Sequence, residues 1–304
     1  MKYLVFGSLN IDRTYSVPHF VSAGETLSAG KMELFCGGKG FNQAVALARA
    51  GKEVWFAGAV GADGQMLLDA LAADGIHAQY VKRTNGASGH AVIQVDPQGQ
   101  NCIMILAGAN GEITEADVDT VLAAFGPGDL IVLQNEITNV AYILRRAAEK
   151  GMTVALNPSP CDGRIAEYDM NNVSYLLVNE VEGSLIAGCE APGAIPDKLH
   201  EAYPHMNIVL TLGSRGAVYC GKDGRRYSCG ICRTNAVDTT AAGDTFTGYF
   251  LAEITDSGDA EAALQQASIA SGISVSRKGA SPSIPGRAEV DATDRSVLSP
   301  FQGM

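Results

Sequence analysis

The chain has 304 residues, of which 46% are apolar and 18% charged, with a mean hydropathy of +0.07. This composition provides material for a large core and excludes intrinsic disorder. The 22 basic and 33 acidic residues give a formal charge of −11, which argues against a nucleic-acid partner. An anionic ligand would therefore be held by local devices such as helix N-termini, a divalent metal or a placed lysine.

Apolar periodicity predicts alternating strands and helices from the start of the chain. The first strand covers 2–9 and is followed by a helix at 40–51, a strand at 53–60 and a helix at 63–74. Further strands are predicted at 130–134, 153–157, 175–179, 208–212, 216–220 and 226–229, and further helices at 114–125, 139–150, 243–254 and 260–276. Short, nearly continuous apolar strands separated by helices indicate an α/β fold, in which helices cover both faces of a mostly parallel sheet.

Two segments, 13–36 and 87–107, interrupt this alternation. The second contains two apolar runs on either side of Asp96-Pro-Gln-Gly-Gln100, which predicts a hairpin. We expect the two segments to form a small β-sheet that projects from the main domain as a lid or dimer surface. A surface hairpin without a role is the alternative.

The N-terminus has too short an apolar run for an export signal, and no apolar run approaches the roughly 18 residues of a membrane span. Together with seven cysteines, an odd number, these features favour a cytoplasmic protein with reduced thiols and no membrane partner. Cys229 and Cys232 form a C-x-x-C pair that could suggest zinc. No second pair or neighbouring histidine pair accompanies it, so incidental thiols are the favoured interpretation.

Residues 238–244, Asp-Thr-Thr-Ala-Ala-Gly-Asp, place small residues at a predicted strand-to-helix junction. Free N–H groups at a helix start form a cradle for an anion. Asp244 could simply stabilise the helix terminus as a capping carboxylate. Beside an anion cradle, it could also accept a proton from a hydroxyl that attacks a bound phosphoryl group.

Residues 36–42, Cys-Gly-Gly-Lys-Gly-Phe-Asn, join an extended segment to a second helix start. A capping turn would explain the glycines, but it would not explain Lys39 among them. The segment does not satisfy the P-loop pattern, and no G-x-G-x-x-G follows the first strand. These absences argue against a P-loop nucleotide-binding protein and against a Rossmann oxidoreductase.

The order of the motifs resembles that of the PfkB (ribokinase) family of carbohydrate kinases over essentially the whole chain. The segments that carry the resemblance are 7–12, 18–26, 37–44, 107–110, 134–136, 157–158, 179–182, 211–216, 238–244 and 277–280. The resemblance implies a single three-layer α/β/α domain at 1–304 with a β-sheet lid from about 13–36 and 87–107. The sequence does not give the oligomeric state, but an exposed apolar lid sheet would favour a homodimer formed through the lid.

The activity implied by the resemblance is ATP-dependent transfer of the γ-phosphoryl group to the primary hydroxyl of D-ribose, giving ribose 5-phosphate. A kinase for another unphosphorylated sugar or for a nucleoside is the nearest alternative. A catalytically silent sugar-binding or regulatory protein on the same fold is a further one.

The resemblance assigns the general base to Asp244 and the phosphate cradle to the N–H groups of Ala241, Ala242 and Gly243. The implied sugar-binding residues, together with Asp244, are Asn10, Asp12, Gly38, Lys39, Asn42 and Glu136. Carboxylates and amides suit a neutral polyol, because they donate and accept hydrogen bonds at adjacent hydroxyls. Without the other motifs, Asn10 and Asp12 would be read as an Asx turn.

The resemblance places ATP against Asn179, Thr211, Gly213, Gly216 and Gly243. Glu182 of the Asn179-x-x-Glu182 motif would hold Mg²⁺ through water, as this ion retains much of its hydration. A solvated helix N-terminus at 179–182 and a plain hairpin turn at 211–216 are the alternatives. The implied site for K⁺, mostly of main-chain carbonyls, comprises Asp238, Thr240, Ser274, Arg277, Gly279 and Ser283.

Overall fold

The computed structural model describes residues 1–304 and contains thirteen strands and nine α-helices. The strands are β1 (Tyr3–Phe6), β2 (Asn10–Ser16), β3 (Lys31–Gly37), β4 (Val54–Val60), β5 (His77–Arg83), β6 (Gly89–Val95), β7 (Asn101–Leu106), β8 (Leu130–Gln134), β9 (Thr153–Asn157), β10 (Tyr175–Asn179), β11 (Asn207–Thr211), β12 (Ala217–Cys220) and β13 (Arg226–Cys229). The helices are α1 (Lys39–Arg49), α2 (Gln65–Ala73), α3 (Glu115–Leu122), α4 (Val140–Glu149), α5 (Glu180–Ala187), α6 (Ile195–Ala202), α7 (Ala242–Ser257), α8 (Ala260–Val275) and α9 (Arg287–Ala292).

The main sheet has nine strands in the order β13-β12-β11-β10-β9-β8-β1-β4-β5. The strands from β11 to β5 are parallel, and β12 and β13 are added antiparallel at one edge. Central strands are apolar throughout because both faces are covered: all five residues of β8 are buried. Two apolar clusters, of 38 and 33 buried residues, take alternate residues of these strands and therefore lie on opposite faces. The predicted α/β architecture is confirmed.

A separate four-stranded sheet has the order β3-β2-β6-β7 and is called the small sheet below. Its β6–β7 pair is the predicted hairpin, and the segment at 13–36 supplies most of β2 and β3. The outer strand β7 is exposed at every residue. The two interrupting segments therefore build one sheet, as their position in the chain predicts.

The first strand is predicted at 2–9, and its predicted C-terminal end is wrong. The strand β1 stops at Phe6, and the chain leaves the main sheet to begin β2 at Asn10. This path requires a glycine at position 7, because a side chain there would clash with the neighbouring main chain: an added Cβ would lie 2.7 Å from the Cα of Gly40. Asn10 and Asp12 thus belong to the small sheet and not to the end of the first strand.

Strand β5 and helices α5, α6 and α9 were not predicted from periodicity. The β5 strand lies at an edge and is only partly buried, so its sequence mixes charged and apolar residues. Helices α5, α6 and α9 are short, with six to eight residues each. None of the helices is both long enough and apolar enough to cross a membrane.

Candidate active site

Helix α7 begins beside the sugar-binding residues expected from the sequence and carries Asp244 in its first turn. Ala241 precedes the helix with φ of 60°, a left-handed conformation that costs an alanine on the order of 1 kcal/mol. The N–H of Ala242 donates to Thr239 O at 3.2 Å, whereas those of Ala241, Gly243 and Asp244 donate to nothing within the chain. The free donors at this terminus therefore differ by one from the predicted set, with Asp244 in place of Ala242.

The Asp244 carboxylate is buried, and each of its oxygens accepts one side-chain amide. Asn42 Nδ2 donates to Oδ2 at 3.0 Å, and Gln43 Nε2 donates to Oδ1 at 2.9 Å. Asn42 Oδ1 is buried and accepts no hydrogen bond within the chain. The carboxylate is thus more than a helix cap, because helix α1 holds it from the opposite side.

Asn10 and Asp12 both lie on β2 with their side chains on the same face of the small sheet, so the Asx-turn alternative is wrong. Asn10 Oδ1 accepts from Asn110 Nδ2 at 2.8 Å, and Asn110 Oδ1 accepts from Leu9 N at 3.1 Å. Asn110 therefore sets the orientation of the Asn10 amide. Burial, assisted by the charge of Glu136, raises the pKa of Asp12 to about 7.

Glu136 follows β8 and reaches the N-terminus of α1. Its Oε2 accepts from the Lys39 main-chain N–H at 2.9 Å and also from the Ser8 hydroxyl. Burial raises the pKa of Glu136 despite these donors. For the Lys39 ammonium, burial opposes the charge but the carboxylates around it, Asp244 foremost, outweigh burial and raise its pKa. Lys39 therefore stays charged beside Asp244.

A cleft of about 260 Å³ opens in front of Asp244. Lys39, Asn179, Glu182, Thr211 and Gly243 line it, so Lys39 and Asp244 face one space with the phosphate-side residues. The other predicted sugar-binding residues do not line this cleft: Asn10, Asp12, Gly38, Asn42 and Glu136. Asn179 Oδ1 accepts from Glu182 N at 2.9 Å, and Glu182 Oε2 accepts from Asn179 N at 3.0 Å. This pair is a capping box at the start of α5, so the helix-terminus interpretation describes the local structure, but Glu182 is buried in the cleft wall rather than solvated.

A larger cavity of about 410 Å³ adjoins the cleft and shares Asn179, Thr211 and Gly243 with it. The turn between β11 and β12 forms one wall through Gly213 and Gly216, whose φ angles are 56° and 110°. The segment at 211–216 is therefore a hairpin turn, as the alternative interpretation predicts, and it also lines the cavity. The remaining walls are largely apolar, which suits the base of a nucleotide.

Two loops meet beside the α7 terminus, at the predicted cation site. The Asp238 carboxylate joins them by accepting from Thr240 N at 2.9 Å and from Gly279 N at 3.0 Å. Although burial opposes it, these hydrogen bonds lower the pKa of Asp238. Five of the six predicted residues have main-chain carbonyls that accept no hydrogen bond within the chain, those of Asp238, Thr240, Arg277, Gly279 and Ser283.

The side chains of two predicted cation-site residues, Ser274 and Arg277, have protein partners. Ser274 Oγ lies 2.7 Å from Ser283 Oγ, and the main-chain carbonyl of Ser274 accepts from Arg277 N at 3.1 Å. The Arg277 guanidinium pairs with the carboxylate of Glu289. The side chains of Ser274 and Arg277 are therefore not free for a ligand, whereas the open carbonyls are.

Several buried polar residues of the site, and the half-buried Asn157, received no role from the sequence. All of them lie inside segments that carry the family resemblance: Ser8, Gln43, Asn110, Gln134 and Asn157. Cys229 and Cys232 are buried, and Cys232 lines the larger cavity. No group of three or more His, Cys, Asp or Glu side chains is arranged to hold a metal ion.

Residues 1–287 match the profile of the pfkB family carbohydrate kinases. The chain belongs to this family, whose members transfer a phosphoryl group to an alcohol. It is 36% identical over 313 residues to a ribokinase of Schizosaccharomyces pombe, with 96% of this chain and 98% of the relative covered. It is 33% identical over 299 residues to a deoxyribokinase of Salmonella typhi, with 94% and 96% covered.

Solved structures agree with this family membership. A ribokinase of Cryptococcus neoformans in complex with ADP superposes with a TM-score of 0.85 at 32% identity, covering 95% of this chain and 98% of that one. The Arabidopsis thaliana ribokinase complexed with ribose and ATP gives 0.84 at 29% identity, covering 95% and 96%. The predicted fold, with its separate small sheet, is that of these proteins.

Proposed function

We propose that this chain is an ATP-dependent kinase that phosphorylates the primary hydroxyl of D-ribose to give ribose 5-phosphate. The observation that carries the proposal is the position of Asp244, which contacts Asn42 on the sugar side and borders the cleft that continues into the larger cavity. A sugar hydroxyl at Asp244 would thus face a phosphoryl group at the α7 terminus. The ribokinase relatives support ribose as the sugar.

In this mechanism, Asn10, Asp12 and Glu136 bind the hydroxyls of the ring, and Asn42 Oδ1, which is buried and has no partner within the chain, accepts from another. Asp244 takes the proton of the primary hydroxyl as its oxygen bonds to the γ-phosphorus. The bond between that phosphorus and the bridging oxygen breaks, and ADP leaves. The charged Lys39 and the free N–H groups of Gly243 and Asp244 stabilise the charge on the transferring group.

The residues present fit both implied cations. Besides Asp244, the cleft offers a second buried carboxylate, Glu182, with the amide of Asn179, a small oxygen set of the kind Mg²⁺ binds while keeping its water. Mg²⁺ would neutralise phosphate charge during transfer. The open carbonyls of Asp238, Thr240, Arg277, Gly279 and Ser283 suit K⁺, which would add positive charge beside the anion cradle.

We further propose one α/β domain over 1–304 with the small sheet as a lid that excludes water from the sugar. The exposed apolar residues of β7 and β3 support a homodimer through this lid. All seven cysteines are free thiols, which supports action in the reducing cytoplasm.

A kinase assay with D-ribose, deoxyribose, fructose, adenosine and inosine tests the proposal, with Asp244→Asn as the matched inactive control. We expect the highest kcat/KM with D-ribose, and no turnover by Asp244→Asn although it still binds sugar and ATP. A higher kcat/KM with another acceptor would reassign the substrate, and deoxyribose is the foremost competitor because a deoxyribokinase is among the relatives. ADP release that does not depend on any acceptor would contradict a sugar kinase. Near-normal kcat in Asp244→Asn would contradict the assignment of the base.

A further inference from the structure

We propose that Gln43 is a positioning residue that holds the Asp244 carboxylate in one orientation for proton transfer. The inference rests on the proposed function, in which Asp244 is the base. Gln43 is completely buried on α1 and lines neither the cleft nor the larger cavity, so its action on the reaction passes through Asp244.

The Gln43 amide uses both of its hydrogens and one oxygen lone pair. Its Nε2 donates to Asp244 Oδ1 at 2.9 Å and to Asn157 Oδ1 at 3.1 Å. Its Oε1 accepts from Gln134 Nε2 at 2.7 Å. A buried amide with this many partners has a single favourable orientation, because rotation would face donor to donor and acceptor to acceptor.

A main-chain carbonyl determines which end of the Gln43 amide faces Asp244. Asn157 Nδ2 donates to Leu177 O at 2.9 Å, and a carbonyl can only accept. Asn157 must therefore turn its Oδ1 toward Gln43, which requires Nε2 of Gln43 at that position. The donor that reaches Asp244 is fixed by strand β10 through two intervening side chains.

The Asp244 carboxylate needs such support because rotation about its last side-chain torsion is soft and roughly two-fold. Asn42 Nδ2 binds Oδ2, and Gln43 Nε2 binds Oδ1, so consecutive residues of α1 hold both oxygens. Of the roughly four lone-pair positions on a carboxylate, the remaining ones stay open for the sugar hydroxyl. Asn42 alone would leave the group free to turn about one hydrogen bond.

Close packing of α1 against α7 makes this contact possible. A Cβ added to Gly248 of α7 would lie 2.4 Å from the Cβ of Ala46. The two helices therefore approach at a position without a side chain, one turn beyond Asp244. The fold brings Gln43 to the carboxylate although 201 positions separate the two residues in the chain.

The decisive variant is Gln43→Met, which preserves size but removes both donors. The matched control is Leu47→Met on the same helix, a buried, volume-conserving change outside the site. We expect kcat to fall about 100-fold in Gln43→Met, the scale of a misplaced catalytic group, with KM for ribose and ATP within about threefold of the parent. Leu47→Met should retain kcat within about twofold.

A structural defect would instead lower the unfolding temperature and change kcat and both KM values together. Gln134→Met removes only the donor to Gln43 Oε1 and should lower kcat about fivefold with unchanged KM. If Gln43→Met does not fold, Gln134→Met tests the inference by the same comparison of kcat with KM and unfolding temperature. A folded Gln43→Met with kcat within about threefold of the parent would overturn this inference and leave the proposed function intact. A parent protein without sugar-dependent turnover would overturn both.

Discussion

The Asp12 carboxylate covers the Cα of Gly37 on the neighbouring strand of the small sheet. The register pairs Asn10 with Gly37 and Asp12 with Phe35, so Asp12 and Gly37 are diagonal neighbours on one face. A Cβ added to Gly37 would lie 2.1 Å from Asp12 Oδ2. The glycine therefore leaves space for a carboxylate of the proposed sugar site.

Gly37→Ala should displace this carboxylate and raise KM for ribose by about 10-fold or more, the worth of one hydrogen bond to a charged group. Because Asp12 does not take the proton, kcat should stay within about threefold. Gly30→Ala is the control, since its Cβ would have no neighbour nearer than 3.9 Å and φ is not left-handed. Steady-state kinetics check the prediction, and equal KM values for the two variants would contradict it.

The pKa of Asp12 predicts a pH-dependent stability. The folded protein raises this pKa from 3.8 to about 7, chiefly through burial and also through the charge of Glu136. Between these two pH values the folded state binds more protons than the unfolded state, so Asp12 lowers stability as pH rises. Glu136, whose pKa is also raised, acts in the same direction.

Asp12→Asn should therefore stabilise the ligand-free protein more at pH 8 than at pH 5. The difference should be on the order of 1 kcal/mol, since solvent at the open side of the site screens the charge. Thermal unfolding of both proteins at the two pH values measures it. A change in unfolding temperature that is the same at pH 5 and pH 8 would show that the Asp12 proton does not contribute.

Most of the main sheet could be predicted because parallel strands buried on both faces are continuous apolar runs. The β8 strand, Leu130–Gln134, has the predicted bounds for this reason. The β1 strand does not, because Leu9 is apolar and buried but lies beyond the end of that strand at Phe6. Composition alone does not distinguish a buried connection from a buried strand.

The site also contains residues that the sequence predicts and residues that it does not. Asp244 and Lys39 stand in motifs with unusual local chemistry, and the structure brings them to one cleft. Gln43 has no such signal, because a glutamine within an apolar helix is ordinary until its partner is known. That partner is set by the packing of α1 on α7, which is long-range information that a local pattern does not contain.

The turn at Gly216 predicts a selective effect on the nucleotide. Its φ of 110° and a Cβ position 2.1 Å from Cys229 O leave no room for a side chain. Gly216→Ala should raise KM for ATP by about 10-fold or more, because the turn must shift in the wall of the larger cavity. Gly224→Ala has a similar φ of 80° in open space, so it should cost about 1 kcal/mol of stability and leave KM for ATP unchanged. Equal KM values for ATP in the two variants would show that the turn at Gly216 does not contribute to nucleotide binding.

The proposed dimer depends on the exposed apolar residues of the small sheet. Ile103 and Ile105 of β7 lie on one face and are 49% and 59% exposed. Their register through β6 and β2 places Ile105 in the same row as Asp12, so a partner covering this face would also close the sugar side. Charged residues there would be buried without a partner in a dimer, which is strongly unfavourable.

Ile103→Asp together with Ile105→Asp should therefore convert the dimer to a monomer. It should also raise KM for ribose several-fold, because the sugar side is less well covered. Val181→Asp is the control, since Val181 is 77% exposed on α5 outside the small sheet and should leave the dimer unchanged. Analytical ultracentrifugation at micromolar concentration measures the mass. A monomeric parent protein would contradict the dimer, and a dimeric double variant would place its interface away from β7.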